Sequence, residues 1–387
     1  MTLGDFFYSI VKTPIRWYFA LKFNARENIN EAKSYDGPLL LIGPHVALED
    51  SLFAVIYRGT LVRFIASDAN WDLGFRNAAF KLFQVIPFKR QRLDVKAIRK
   101  LKKSVSEGHS VGLFPEGART WDGQSLRIIP SIAKLVKLLR VPVYTITYDG
   151  LYLTRPRWAG KNTRRGRIDV NIREVITKQQ LKAANNDELL KLIENAIKSN
   201  EFDWQRKAMV KFKGKNYAEH IERLLYRCPK CDAVNSLKSS GDHFTCTSCE
   251  ATYTVNPYGF IEGCSQFDNT ADWNDWQRSQ LDNILNSNFK YEQSDIQLER
   301  IGESKRYTDR VKMTLTANAI EIVFENDEQL TLPLQNVRSC DAIFSDCVEF
   351  YVNDIKHRFL FEPEKNHMSL KLFEDVVLAQ SAKLKQA

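Results

Sequence analysis

Between residues 38 and 148, short apolar runs alternate with stretches of helical periodicity, and this constrains the fold more than any other feature of the chain. Pro38–Gly43, Val62–Ala66, Ser110–Phe114 and Pro142–Tyr148 are apolar and bounded by turn residues, as buried strands are. Between them, Asp50–Tyr57, Gly74–Phe83, Lys96–Glu107 and Ile129–Arg140 carry helical spacing. The alternation predicts an α/β domain with a largely parallel sheet. Ligands of such sheets collect beyond the strand C-termini, so the loops after residues 43 and 114 are where functional side chains are expected.

Beyond residue 200 the pattern changes. Phe202–Leu225 reads as a basic helical connector, a cysteine module follows, and a helix is expected near Ala271–Leu285. Residues 308–362 alternate apolar and polar positions with Asn326-Asp327 and Asn353-Asp354 turns, as antiparallel hairpins do, before a closing helix from His367 to about Leu384. The expected division is a membrane-contact helix at 1–30, an α/β domain at 31–200, a connector at 201–226, a metal ribbon at 227–265 and a small β-rich domain at 266–387. The order of strands then helix in the last is reminiscent of a pleckstrin-homology-like fold.

The chain has 387 residues, 44% hydrophobic and 27% charged, which excludes overall disorder. Its net charge of +9 conceals a split. Residues 1–227 hold 40 Lys and Arg against 22 Asp and Glu, a net +18; residues 228–387 hold 16 against 25, a net −9. The front of the chain is therefore expected to face something anionic. No run is long enough and apolar enough to span a bilayer. Phe6–Phe23 mixes aromatics with Lys12, Arg16 and Lys22, which suits a helix kinked near Pro14 and lying among lipid headgroups. The plainer alternative is a helix packed on the domain core. Asp5, Lys12 and Pro14 do not fit a secretory signal, so the cysteines are expected in a reducing compartment.

The first loop holds His45-Val-Ala-Leu-Glu-Asp50. A histidine can take a proton from a hydroxyl when a carboxylate fixes its tautomer. On one regular helix, positions five apart point about 140° away from each other. His45 must therefore lie in the loop and Asp50 in the first turns of the helix for the two to meet. No Ser or Cys stands between them, which favours direct attack by a substrate hydroxyl. By itself the pair is a common chance pattern. The second loop, Phe114-Pro-Glu-Gly-Ala-Arg119, makes a sharp corner in which Gly117 is permissive, Arg119 can grip phosphate and Glu116 can orient that arginine or a hydroxyl. Its bland alternative is an ordinary turn with a surface ion pair. Between the loops, Ile86-Pro-Phe-Lys89-Arg90 ends in two cations that could complete a phosphate pocket or be a solvated turn.

These elements, with Val141-Pro-Val-Tyr-Thr-Ile146, resemble the four ordered motifs of the glycerolipid acyltransferases of the glycerol-3-phosphate and 1-acylglycerol-3-phosphate type, over roughly residues 35–180. The resemblance implies a glycerolipid-acyltransferase-like α/β domain in which His45 with Asp50 deprotonates the acceptor hydroxyl. That hydroxyl attacks the thioester of acyl-CoA or acyl-carrier protein, and no metal enters the chemistry. Lys89, Arg90, Glu116, Gly117 and Arg119 would hold the acceptor. The chain departs from the family pattern at Pro44, Ala47 and Ala118 and lacks the second proline of the fourth motif; the acceptor that the resemblance implies is a lysophospholipid, foremost 1-acylglycerol-3-phosphate. The expected location is the cytoplasmic face of the cell membrane, whose anionic phospholipid surface is the expected partner of the basic front half.

Cys228-Pro-Lys-Cys231 and Cys246-Thr-Ser-Cys249 have the spacing of a four-cysteine structural zinc ribbon; redox dithiols are the alternative. His243 is expected to be a surface residue. The basic run Arg155–Arg167, with Trp158, suits either a solvated loop or contact with headgroups or an acidic carrier protein. A zinc ribbon beside a basic half also invites a nucleic-acid-binding class, and a non-catalytic lipid-binding scaffold is a third. The nucleic-acid class leaves His45, Asp50 and the Phe114 turn without a purpose, so no nucleic acid is expected as partner. The acidic C-terminal domain is expected to meet a protein.

Overall fold

The computed structural model describes residues 2–67, 74–88, 94–285, 289–302, 306–343, 346–353, 355–362 and 369–385, with the side chains of 74–76 excepted. It forms two compact units, residues 1–155 with 164–213 and residues 156–163 with 214–387.

The first unit is built on a seven-stranded sheet of order β1-β7-β6-β2-β5-β3-β4. The strands are β1 (Ala25–Asn30), β2 (Leu40–Ile42), β3 (Val62–Ser67), β4 (Ile86–Phe88), β5 (Ser110–Leu113), β6 (Val143–Asp149) and β7 (Ile168–Ile176). All neighbouring pairs are parallel except β6–β7. The α/β class expected from the alternation is what folds. β1 and β7 were not evident in the sequence because Arg26, Glu27, Asn28 and Asn171 interrupt their apolar pattern. Residues 25–30 therefore belong to the sheet rather than to a separate N-terminal element, which corrects the expected boundary at residue 30.

Helices cover both faces of the sheet. The helices are α1 (Leu3–Phe23), α2 (Asp50–Arg58), α3 (Gly74–Leu82), α4 (Val95–Ser106) and α5 (Ile132–Leu139). On one face, Ala97 and Leu101 of α4 and Ile132, Val136 and Leu139 of α5 pack with Leu40, Ile42, Val111 and Val143 in one core. On another, α1 and α2 join through aromatics: Phe53 meets Phe19 edge-on at 4.9 Å and Tyr148 of β6 at 5.8 Å. The Tyr8 hydroxyl also donates to the Val55 carbonyl at 2.8 Å. α1 runs unbroken through Pro14. Its other side leaves Leu3, Phe6, Ile10, Trp17, Tyr18 and Leu21 exposed. The core-packed alternative thus describes one side of α1, and the other is an exposed apolar side. No helix among the described residues is long and apolar enough to cross a membrane.

Only Glu201–Ala208 of the expected connector is a regular α-helix, and the units divide after Lys213. The second unit contains a four-stranded antiparallel sheet formed by β8 (Leu237–Ser240), β9 (His243–Cys246), β10 (Thr252–Val255) and β11 (Ile261–Glu262). Buried Trp273 lies against Phe244 and Tyr253 of that sheet. The unit ends in a seven-stranded antiparallel sheet and the helix Leu370–Leu384, whose Phe373 packs on Phe350 and Phe359. Two of the seven strands, Lys290–Ile301 and Val337–Ala342, were not anticipated, because each carries charges at intervals that break the period of two.

Much of the basic run Arg155–Arg167 is engaged within the fold, while Lys161 and Arg165 are exposed. Arg157 is buried and its Nη2 lies 2.8 Å from Asp341 Oδ1; Trp158 is 2% exposed and Arg164 3%. Arg165 donates to the Leu21 carbonyl, and Arg167 pairs with Asp169. A guanidinium's fixed fork of donors suits carboxylates and carbonyls inside a fold, so a dense arginine run can be internal wiring.

Candidate functional site

β2 ends at Ile42, and Gly43-Pro44 carries the chain into the loop that precedes α2. A Cβ at Gly43 would lie 2.4 Å from the Ile146 carbonyl oxygen, so only glycine lets this loop leave so close to β6. α2 begins at Asp50, with His45 bent back over it from the loop. His45 Nδ1 is 2.9 Å from Asp50 Oδ2. The same carboxylate accepts from the Val46 amide at 2.6 Å and from the Ala47 amide at 3.0 Å. An ionised carboxylate only accepts, so opposite it Nδ1 carries the proton, and in the neutral ring this tautomer leaves the Nε2 lone pair free. Burial pushes the Asp50 carboxyl up, and its donors His45, Val46 and Ala47 pull it back. Asp50 is fully buried, while the His45 side chain keeps 26% exposure. The His45 ring is therefore reachable from solvent and the carboxylate that orients it is dry.

The second loop meets the first directly. β5 ends at Leu113, and Phe114 stacks on the His45 ring at 4.6 Å with 12° between planes. Phe64 of β3 backs Phe114 at 5.3 Å. Gly117, at φ +74°, makes the corner in a conformation that side-chain-bearing residues rarely adopt. Beyond it, the Thr120 amide donates to the His45 carbonyl at 2.8 Å and the Ile129 amide to the Pro115 carbonyl at 3.0 Å. Arg119, partly exposed, stands one residue before the Thr120 anchor.

Glu116 is 7% exposed, and its Oε2 accepts from the His45 amide at 3.1 Å. Oε1 is buried without a hydrogen-bonding partner among the described residues. Burial pushes the Glu116 carboxyl up to about 8; the His45 and Leu126 amides oppose that rise, and the negative charges of Asp50 and Asp122 add to it. Glu116 thus touches the backbone of His45, a link absent from the expectation that it orients an arginine or a substrate hydroxyl. Tyr148, whose hydroxyl donates to the Asp50 carbonyl at 2.8 Å, was also missed. Its only signal was its position at the end of an expected strand. Lys89 and Arg90 lie outside the described residues.

The four cysteines converge in the second unit. Their sulfurs all lie within 4.8 Å of one another, with Cys228–Cys249 at 3.8 Å and Cys231–Cys246 at 3.6 Å. A disulfide would bring sulfurs to about 2.05 Å. Four sulfurs around a zinc ion at about 2.3 Å stand about 3.8 Å apart, so the set fits a tetrahedral metal and not a pair of bridges. Two matching turns build it. The Cys228 amide donates to the Ala233 carbonyl and the Cys246 amide to Ala251, while Asp232 and Glu250, both at positive φ, follow the second cysteine of each pair. Ser236 Oγ and Tyr253 Oη lie 3.2 Å and 3.7 Å from the sulfurs of Cys246 and Cys228. Four thiolates leave a zinc ion no open position, so such an ion would brace the fold. His243 is exposed and pairs with Thr254, apart from the cluster.

Residues 20–149 match the family described as Acyltransferase. No curated protein matches the chain. Among solved structures, the 1-acyl-sn-glycerophosphate (LPA) acyltransferase PlsC from Thermotoga maritima is similar at 18% identity and a TM-score of 0.43, covering 51% of this chain and 80% of that one. The N-terminal PH domain of human ARAP2 is similar at 12% identity and a TM-score of 0.20, covering 26% and 84%. The N-terminal PH domain of Vps36 is similar at 11% and 0.21, covering 25% and 80%.

Two outcomes follow from this geometry. In the unfolded chain Glu116 ionises near its ordinary value of 4.5, whereas in the folded protein it holds its proton to about 8. Between those values the folded state binds more protons, so stability is lost as pH rises through the window and levels off above it. Glu116→Gln escapes that loss. Thermal unfolding from pH 4.5 to 8.5 should show the variant gaining on wild type by about 2–5 °C, and a pH-independent difference would contradict the assignment. Elemental analysis of purified protein should find one zinc per chain; chelation should unfold β8–β11 selectively, and Cys246→Ser should lose the metal. Metal-free protein with an intact ribbon would refute the zinc assignment.

Proposed function

We propose that this chain, whose residues 20–149 form a domain of the acyltransferase family, is a membrane-surface O-acyltransferase. It transfers a fatty acyl chain from acyl-CoA or acyl-carrier protein to the hydroxyl of a lysophospholipid, with 1-acylglycerol-3-phosphate the favoured acceptor. The observation that carries this is the convergence of two loops 71 residues apart: His45 takes Asp50 on its ring and Glu116 on its backbone amide.

In the proposed reaction, the acceptor hydroxyl gives its proton to His45 Nε2 as its oxygen attacks the thioester carbonyl. Asp50 stabilises the imidazolium that forms. Collapse of the tetrahedral intermediate breaks the C–S bond, and the leaving thiolate takes the proton back from Nε2. Neither loop offers a serine or cysteine beside His45, which favours direct transfer over an acyl-enzyme. Arg119, with Lys89 and Arg90, supplies charge for the acceptor's phosphate. A largely protonated Glu116 can donate a hydrogen bond where an ionised one would repel that phosphate. Zinc, held by Cys228, Cys231, Cys246 and Cys249, braces the second unit and takes no part in transfer.

The exposed apolar side of α1 supports contact with the lipid surface, where substrate and product both reside. Trp17 and Leu21 are 70% and 72% exposed, beside the cations Lys12 and Lys22. Burying such side chains at a headgroup boundary is favourable by about 1.5–3 kcal/mol each. The cytoplasmic face of the cell membrane is the proposed location. The strands-then-helix order at the C-terminus supports a pleckstrin-homology-like domain, and its acidity favours a protein partner over anionic lipid.

His45→Ala and Asp50→Asn should each cut transfer from labelled acyl-CoA or acyl-carrier protein to a lysolipid panel by about 10³-fold or more, with unfolding temperature preserved. Wild type and His45→Ala transferring equally poorly, with lipid binding intact, would leave a non-catalytic lipid-binding protein. Trp17→Asp with Leu21→Asp should abolish flotation with anionic vesicles; undiminished flotation would remove α1 from the membrane contact.

A further inference from the structure

The two loops of the candidate site share a support that lies outside all four motifs. β6 ends at Asp149, and the chain turns through Gly150, φ +93°, into the single helical turn Leu151–Thr154 and then Arg155. A Cβ at Gly150 would lie 2.1 Å from the Arg167 carbonyl oxygen, so this turn is pressed against backbone and cannot be displaced cheaply. The amides of Gly150, Tyr152 and Leu153 donate to the buried carboxylate of Glu201. The amide of Glu201 in turn donates to the Gly123 carbonyl at 3.0 Å.

Two side chains reach out of this turn, one to each loop. Tyr152, 1% exposed, donates from its hydroxyl to the Trp121 carbonyl at 3.1 Å. Trp121 follows Thr120, the residue anchored to the His45 carbonyl, and lies two positions after Arg119. Arg155 places Nη1 3.0 Å from Glu49 Oε1, and both side chains are partly buried. Glu49 immediately precedes Asp50 and is the cap residue of α2.

We propose that the turn 150–155 is a brace that sets the spacing of the two catalytic loops. Arg155 positions the His45–Asp50 pair through Glu49, and Tyr152 positions Arg119 through Trp121. Neither touches the reacting atoms; both are positioning residues. The proposal rests on the acyltransferase reading for its kinetic consequences and on geometry for the rest. A displacement of about 1 Å at a reacting group costs up to about 10²-fold in rate, so modest slack in the brace is readable in kinetics. The two contacts lead to different loops and therefore to different kinetic parameters.

The test uses the full chain with vesicle-borne 1-acylglycerol-3-phosphate and whichever thioester wild type accepts. Arg155→Gln should lower kcat about tenfold with KM for the acceptor within about twofold. Tyr152→Phe should raise that KM about threefold to tenfold while kcat holds. Arg155→Glu combined with Glu49→Arg should regain most of the kcat that either reversal loses. Proportionate losses of kcat and KM in both variants, failure of the exchanged pair to recover, or a lowered unfolding temperature with unchanged kinetics would each overturn the brace.

Amide hydrogen exchange provides an arm independent of turnover. Arg155→Gln should speed exchange at Val46 and Ala47, which donate to Asp50, and Tyr152→Phe should speed it at Thr120, each about tenfold; unchanged exchange at these sites overturns the proposal. Wild type inactive on every lysolipid, with these exchange changes present, would sink the acyltransferase reading and leave the brace standing.

Discussion

Everything at the candidate site hangs on one buried carboxylate. Asp50 is fully withdrawn from water, yet three N–H donors, from the His45 ring and the Val46 and Ala47 amides, converge on it. A buried carboxylate is costly unless it is hydrogen-bonded, so the loop that supplies those donors cannot relax without exposing that cost. Asp50 therefore folds the loop as well as orienting the imidazole. Its backbone carbonyl is held by Tyr148, which ties the start of α2 to β6.

The second loop is dependent on the first. Its glutamate accepts from the His45 amide, its phenylalanine stacks on the His45 ring, and Thr120 donates to the His45 carbonyl. The backbone of His45 is thus gripped at both its polar groups by residues of the other motif. This economy places a buried acid, Glu116, close to Asp50, and their mutual repulsion adds to the burial that keeps Glu116 protonated toward neutral pH.

The cysteine cluster meets a different problem by similar means. β8–β11 are short and bury little, with Phe244, Tyr253, Val255 and Ile261 as the main apolar contribution. So small a sheet needs a cross-link or a metal. Two equivalent turns present the four sulfurs at a spacing too wide for bridges and right for one ion. The arginines of the 155–167 run serve a comparable purpose where they are buried, as at Arg157 with Asp341.

By itself, the sequence determined what depends on local pattern. Apolar runs and helical spacing located β2, β3, β5 and β6 and the helices beside them, since a strand buried on both faces must be uniformly apolar. The five-residue separation of His45 and Asp50 dictated a loop before a helix, because helical rotation forbids their meeting otherwise. The cysteine spacing marked the four residues whose sulfurs converge, for the same local reason. β1, β7 and two strands of the C-terminal sheet escaped, since their charged residues are satisfied by partners distant in the chain, as Arg26 is by Asp169. Only the tertiary structure decided that Glu116 grips the backbone of His45, that Trp158 is buried, and that Tyr152 and Arg155 each reach one of the two loops. Those contacts join residues tens to hundreds of positions apart, and which side chains meet across that distance is set by sheet order and packing, of which one-dimensional spacing carries no trace.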